Sequence, residues 1–461
     1  MTRPSRAPNP SGRRPSPPSS DSSTIYAPAT AAGRAGVAII RVSGAAAGAA
    51  ARAIGGTLPA PRRAQLADIK DPHSGESLDR GLLLWFPAPA SFTGEDVLEL
   101  HLHGGRAVIA GVLAALAPIP GCRPAEPGEF TRRAFDHGKL DLTEVEGLAD
   151  LVAAETAAQR RQALRQLGGA LSALTEGWRA RLMRMLAHLE ADIDFSDEPL
   201  PPALAAEAAL GLRGLAAEMR AHLADQGRGE RLRLGLHIAI LGAPNVGKSS
   251  VLNALARREA AIVSARAGTT RDVIELDLDL AGYPVTLADT AGLRDAADEI
   301  EAEGVRRARQ RAERTDLKLI VLDAMRLPGI PSEVRAVIDA QSILVANKID
   351  LARPASDRLG AHRLWLLSAH SGEGLAELEQ ELARRAAALL EIGADPHLTR
   401  ARHRAALEAC LAALDRACEE DAPELRAEDV RLAMRALGRI TGRVDVEDLL
   451  DLIFREFCIG K

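Results

Sequence analysis

The chain has 461 residues, 47% of them apolar and 3% aromatic, with a formal net charge of -5 at pH 7. Such a length predicts several domains, with cores built from Leu, Ala, Val and Ile. The acidic balance excludes a general polycation, so any nucleic acid must be met by a local basic patch. No apolar run approaches the roughly 20 residues of a membrane span. The four cysteines (Cys122, Cys410, Cys418 and Cys458) show no zinc or CxxC spacing, a pattern that suits a reducing, cytoplasmic compartment.

Residues 1–23 are rich in Pro, Ser and Arg, lack a signal peptide's apolar stretch, and are expected to form a disordered tail. From Thr24 the text changes. VAIIRV (37–42), RGLLLWF (80–86) and DVLELHLHGG (96–105) read as strands, and 106–116 as a helix, which predicts an α/β domain over 24–140. Residues 141–236 turn to Ala, Leu, Arg and Glu. Leu164, Leu167, Leu171, Leu174, Trp178, Leu182, Met185 and Leu189 make one helical apolar stripe, which Gly168 and Gly169 can break. Residues 237–388 alternate apolar strands with helices, the pattern of a mostly parallel sheet covered on both faces. After 389 the chain is helical again. Its apolar positions suit packing on the earlier helices, with the central domain inserted into a discontinuous α-helical one. The fold class is therefore α/β with a helical domain.

GAPNVGKS (242–249) follows the strand HIAILG and precedes the helix SVLNAL, so GxxxxGKS stands in its required strand–loop–helix setting. The loop amides and the helix N-terminus cradle phosphates. Lys248 is expected to reach the β- and γ-phosphates and Ser249 to hold Mg2+. GTTRD (268–272) lies where a magnesium-binding threonine belongs. DTAG (289–292) offers Asp289 to the metal shell and Gly292 to the γ-phosphate. In NKID (347–350), Asp350 can accept from both N1–H and the 2-amino group of guanine, a donor pair adenine lacks. SAHSGEG (368–374) backs the base. The predicted GTP set comprises Asn245, Val246, Gly247, Lys248, Ser249, Ser250, Ser264, Thr269, Thr270, Asp289, Thr290, Ala291, Gly292, Asn347, Lys348, Asp350, Ser368, Ala369 and His370. Leu293 follows DTAG where a Ras-like protein carries a water-orienting glutamine. The water-orienting group must come from elsewhere, and DAADEIEAEG (295–304) is the nearest source of carboxylates; most of these acids also suit a solvated helix start. The side-chain amide of Asn245 has two open readings, ligand of a monovalent cation beside the phosphates or stabiliser of its own loop.

TIYAPATAAGRAGVAIIRVSG, SFTGEDVLELHLHGG, PGEFTRRAF, GKLDLTEVEGLADL and the terminal ITGRVDVEDLLDLIFREFCIGK resemble the text of the MnmE (TrmE) family of tRNA wobble-uridine modification GTPases. The resemblance runs from Thr24 to Lys461. It implies an N-terminal folate-binding-like domain that forms a homodimer, and a tetrahydrofolate derivative as one-carbon donor at Arg41, Glu99, Lys139 and Lys461. A folate's pterin suits a carboxylate and its glutamate tail suits cations; without the family, Glu99 and Lys139 read as members of surface ion pairs. The resemblance also implies K+ held by Asn245 with Ser264, Arg266 and Thr269, Mg2+ held by Ser249 and Thr270, and Glu301 as the water-orienting carboxylate. Arg294 matches a family arginine beside the second switch. The implied partners are tRNA and MnmG (GidA), an FAD-binding protein, in a heterotetramer that modifies C5 of uridine 34. Cys458 has two readings, nucleophile or small packed residue.

The chain departs from the family at residues 1–23, at Arg106 where proline is common, and at Arg439 and Arg443 where acids are frequent. With Arg431 and Arg435 these arginines form a series at four-residue steps, which reads as a solvated face paired with acids or as a contact for tRNA phosphates. The GTPase motifs alone also suit a ribosome-assembly switch, and a third reading is a free-standing folate aminomethyltransferase with a regulatory GTPase domain.

Overall fold

The computed structural model describes residues 23–194, 203–225, 227–257, 274–289, 315–391, 393, 395–444, 450, 453, 454, 457 and 460. Contacts divide the chain into two units, Met1–Ala149 with Met434–Lys461, and Asp150–Ala433.

The first unit is built on a six-stranded sheet. Its strands are β1 (Thr24–Pro28), β2 (Ala35–Ser43), β3 (Gln65–Lys70), β4 (Ser77–Phe86), β5 (Val97–Gly104) and β6 (Cys122–Pro124), in the order β3-β4-β5-β2-β1-β6. All neighbours are antiparallel except β1 and β6. The period-2 alternation sends Ile40, Val42, Leu83, Trp85, Leu98 and Leu100 to one face, where helices Ala47–Gly55 and Arg106–Leu116 bury them. Each large apolar side chain so buried contributes about 1.5–3 kcal/mol. The alternate positions, among them Arg41 and Glu99, point to the other face. The end of the chain joins this unit: Leu450, Phe454 and Phe457 pack with Phe135, Leu142 and Val145 into a small separate core, with the rings of Phe135 and Phe454 6.3 Å apart.

The second unit holds a seven-stranded sheet of β7 (Leu236–Leu241), β8 (Ile274–Leu280), β9 (Tyr283–Asp289), β10 (Leu317–Asp323), β11 (Ser342–Asn347), β12 (Arg358–Leu359) and β13 (His362–Leu366). The order is β12-β13-β11-β10-β7-β9-β8. The inner five strands run parallel, and β8 and β12 are antiparallel edges. The buried Val, Ile and Leu of β7, β10 and β11 match a sheet covered on both sides.

Helices Ala170–Asp194, Ala203–Leu223 and Ala401–Glu419 pack together in the same unit. Cys410 is fully buried there, with its Sγ 3.8 Å from the Met219 sulfur. The single apolar stripe expected through Leu164 needs correction. Leu164 is 50% exposed, whereas Leu171, Trp178, Leu182, Met185 and Leu189 are buried. Gly169, at φ +82°, ends helix Ala157–Leu167 and re-phases the chain, so the earlier helix buries Ala158, Gln162, Ala163 and Gln166 instead. In the arginine series, Arg431 pairs with Glu190 at 2.9 Å and Glu428 at 3.1 Å, in keeping with a solvated face at that position.

The segment after helix Leu375–Leu390 is fastened to the helical part through Asp225. Burial alone would raise this carboxyl's pKa, but the hydrogen bonds from His397, the Gly227 amide and Arg404 outweigh it and hold the value at about 2. A carboxyl depressed on folding stabilises the fold above its unfolded pKa near 4, and that contribution disappears as pH falls from about 4 to 2. Asp225→Asn is expected to lower unfolding free energy at pH 7 by about 2 kcal/mol and to flatten stability across that acid window, as read by urea unfolding at several pH values. Equal stability of the two proteins at pH 7 would contradict this account.

Candidate functional site

β7 ends at Leu241, and the loop that follows turns into helix Lys248–Ala256. Asn245 sits at φ +62°, a left-handed conformation that asparagine tolerates better than most residues. Gly247 is the N-cap at φ +96°. With no side chain there, the first helical N–H groups are left to a ligand, and their partial positive charge favours an anion. Lys248 Nζ donates to the carbonyls of Gly242 and Ala243, each at 3.0 Å, which folds the ammonium back over the loop.

The base-reading loops are stitched to this phosphate loop. Asn347, at the end of β11, donates from Nδ2 to the Val246 carbonyl at 3.0 Å and accepts from the Ala369 amide at 3.0 Å. Lys348 donates to the Asn245 carbonyl at 2.8 Å and to Asp323 at 2.8 Å. Ser368 Oγ donates to Asp350 Oδ1 at 2.6 Å, and this bond is the main cause holding the Asp350 carboxyl below the usual range. A carboxylate kept ionised here suits the two donors of guanine. Asp323 was given no role by sequence reasoning. It closes β10; burial raises its pKa, but the hydrogen bonds from Lys348 and the Met325 amide together with the charge of Lys348 outweigh that and hold it below the usual range, so it positions Lys348.

The first unit contributes a second concavity. The register places Ala27, Arg41, Glu99 and Leu84 opposite one another across β1, β2, β5 and β4. Arg41 therefore meets Glu99, with Nε and Nη2 donating to Oε1 at 3.1 and 2.9 Å. The Arg41 guanidinium also lies 5.4 Å from the Phe92 ring centre and 5.8 Å from that of Phe130. Together with Arg62, Phe86, Ala90, Ser91, Phe92 and Val97, the pair lines an open cavity of about 300 Å³. Lys139 donates to the Pro89 carbonyl at 2.9 Å, beside the lining residue Ala90. The C-terminal segment reaches β1: a Cβ on Gly460 would lie 1.9 Å from the Pro28 carbonyl oxygen, one residue from Ala27.

The model of the MnmE helical domain matches residues 142–458, and that of the GTP-binding protein TrmE N-terminus matches 24–139. The chain belongs to the MnmE (TrmE) family. The tRNA modification GTPases MnmE of Paramagnetospirillum magneticum and Parvibaculum lavamentivorans are each 58% identical to it, over 95% of this chain and 100% of theirs. The mitochondrial 5-taurinomethyluridine-tRNA synthase subunit of Danio rerio is 50% identical over 95% of this chain and 93% of its own. Among solved structures, the G domain of the Thermotoga maritima FeoB iron transporter aligns with 33% of the chain at 26% identity and a TM-score of 0.25.

Of the residues expected from the sequence, Arg41 and Glu99 share one cavity, and Asn245, Val246, Gly247, Lys248, Asn347, Lys348, Asp350, Ser368 and Ala369 share one loop cluster. Ser249 and Ser250 open the phosphate-loop helix, and His370 is exposed beside the base loop. Asp289 ends β9, where its backbone alone is described. Ser264, Arg266, Thr269, Thr270, Thr290, Ala291, Gly292, Leu293, Arg294 and Glu301 lie outside the described residues, as do Cys458 and Lys461. No sequence motif marks the cavity residues Arg62 and Phe86; Phe86 is only a strand position of RGLLLWF.

Proposed function

We propose that this chain is a GTP hydrolase that serves the modification of tRNA wobble uridine. The observation that carries the reading is the likeness to tRNA modification GTPases along nearly the whole chain. The guanine-nucleotide loop set, with Asp350 poised for the base, supports it from the chemistry. In this reading the loop amides and Lys248 take the phosphates and Asp350 takes the base. Water attacks the γ-phosphorus, the bond to the β–γ bridging oxygen breaks, and GDP and phosphate leave. Leu293 cannot orient that water; the role is assigned to Glu301, which matches the family's water-orienting glutamate. Ser249 and Thr270 would hold Mg2+, and the Asn245 amide oxygen with backbone oxygens near Ser264, Arg266 and Thr269 would hold K+; the exposed position of Asn245 at φ +62° leaves its amide free to face such an ion.

The first unit serves as the folate site and the homodimer contact. A cavity with an arginine–glutamate pair and two phenylalanines suits a tetrahydrofolate derivative, which when bound would supply the one-carbon unit. Arg41, Glu99, Lys139 and Lys461 would hold it. MnmG would bring FAD, tRNA would be shared between the two proteins, and Cys458 would lie close to the chemistry.

The test is nucleoside mass spectrometry of tRNA from cells lacking this chain, complemented with the full gene or with Lys461 deleted. C5-modified wobble uridines should vanish on deletion and return only with the full gene. Their persistence without the protein would overturn the substrate assignment and favour an assembly switch. For the cation, wild-type GTP hydrolysis should run at least about tenfold faster in K+ than in Na+, and Asn245→Ala should erase the difference while GTP still binds. Equal wild-type rates in the two salts would remove K+ from the mechanism.

A further inference from the structure

We propose that Arg62 is the anion anchor of the Arg41–Glu99 cavity and selects ligands that carry a free carboxylate at the end remote from their flat ring system. The inference rests on the folate reading of the same cavity and adds a determinant to it.

Three observations carry it. The first is charge. Arg41 is already neutralised by Glu99 through two hydrogen bonds to one carboxylate oxygen. Arg62 has no carboxylate partner among the described residues. Its guanidinium donates to the neutral Ala90 carbonyl and stands 5.5 Å from the centre of the Phe86 ring. The ionisable residues lining the cavity are Arg41, Arg62 and Glu99, which leaves one positive charge in excess.

The second is placement. Arg62 is held in the left-handed region at φ +59°, a conformation unfavourable for a non-glycine residue that persists only where neighbours impose it. The neighbours are visible. Its amide donates to the Trp85 carbonyl at 2.8 Å, and Pro61 bridges to Trp85 beside it. The edge of β4 thus fixes the backbone of Arg62, while the next residue of that strand, Phe86, supports its guanidinium. A side chain clamped at both ends loses little further freedom on binding.

The third is the chemistry of the wall. Phe86 and Phe92 offer flat apolar surface for an aromatic ring, and each is paired with an arginine. Arginine presents a planar fork that matches a carboxylate and serves a rim position better than a point charge. A flat heterocycle joined to a carboxylate tail satisfies every lining residue: the Arg41–Glu99 pair faces the polar ring edge, the phenylalanines its flank, and Arg62 the tail.

Calorimetric titration of the full chain tests this, with 5-formyltetrahydrofolate and its dimethyl ester, in which both tail carboxylates are masked. The wild type should prefer the free acid by about tenfold. Arg62→Asn, a neutral residue that tolerates positive φ, should bind acid and ester equally, at the ester's wild-type affinity. Arg62→Lys should restore a preference of the same sign, and Arg41→Ala should weaken both ligands. If the wild type binds acid and ester equally, or if Arg62→Asn weakens both alike or neither, Arg62 is not the anchor and the folate reading stands. If the wild type binds neither compound, the folate reading itself fails, and this inference with it.

Discussion

Gly247→Ala is expected to weaken GTP binding by two to three orders of magnitude. Alanine at φ +96° costs about 1–3 kcal/mol. Its methyl group would lie 2.3 Å from Asn347 Nδ2, so the amide that joins the phosphate loop to the base loop must leave. That sacrifices bonds to Val246 and Ala369 of about 1 kcal/mol each. Together the terms reach about 3–5 kcal/mol, at least two orders of magnitude in affinity. Titration with a fluorescent GTP analogue reads the effect, and a thermal melt separates it from unfolding. Affinity within threefold of wild type would show that the Asn347 link is dispensable.

Gly460→Ala is expected to reduce wobble-uridine modification to background while leaving GTP hydrolysis near wild type. The added carbon would lie 1.9 Å from the Pro28 oxygen and 3.2 Å from the Ala29 Cα. Both are backbone of or beside β1, inside a sheet that cannot yield, and the residue holds φ +101°. The chain end must therefore move. Phe454 and Phe457 remain anchored in their own small core, so the displacement is confined to the last residues. Because Pro28 adjoins Ala27, which shares a row with Arg41 and Glu99, that displacement falls beside the cavity. Modification restored to normal in complemented cells would show that the terminal contact is incidental.

The nucleotide loops were legible in the sequence because phosphate and guanine demand particular residue types at short spacing. GAPNVGKS, NKID and SAHSGEG each stand alone as words, and folding only brings them together. The cavity of the first unit was legible only in half. Arg41 and Glu99 came through a family likeness, whereas Arg62 lies in no motif and meets Phe86 because Pro61 happens to bridge to Trp85. A tertiary contact of that kind leaves no periodic trace. Strands β1, β3 and β6 leave little trace in sequence: TIYAP and CRP are short, and the alternation of QLADIK turns Leu66 outward and Gln65 and Ala67 inward, against the order of hydrophobicity. Leu164 was misassigned because a glycine pair shifts helical phase without changing the spacing of leucines.

Thr156 and Gln159 close a capping box at the start of helix Ala157–Leu167, and the next free donor of that helix, the Ala158 amide, is taken by the Gly282 carbonyl at 3.0 Å. Gly282 is the turn between β8 and β9. In sequence, GTTRD runs into one arm of this hairpin and DTAG leaves the other. The hairpin is thus held along β9 by its ladder to β7 and at its tip by a helix terminus, and the GTTRD and DTAG segments adjoin its open end in sequence. The arms are tied by seven paired positions and by Thr286 donating to Asp277 across them at 2.8 Å. They cannot move independently, so displacement of either arm loads both the β7 ladder and that helix terminus.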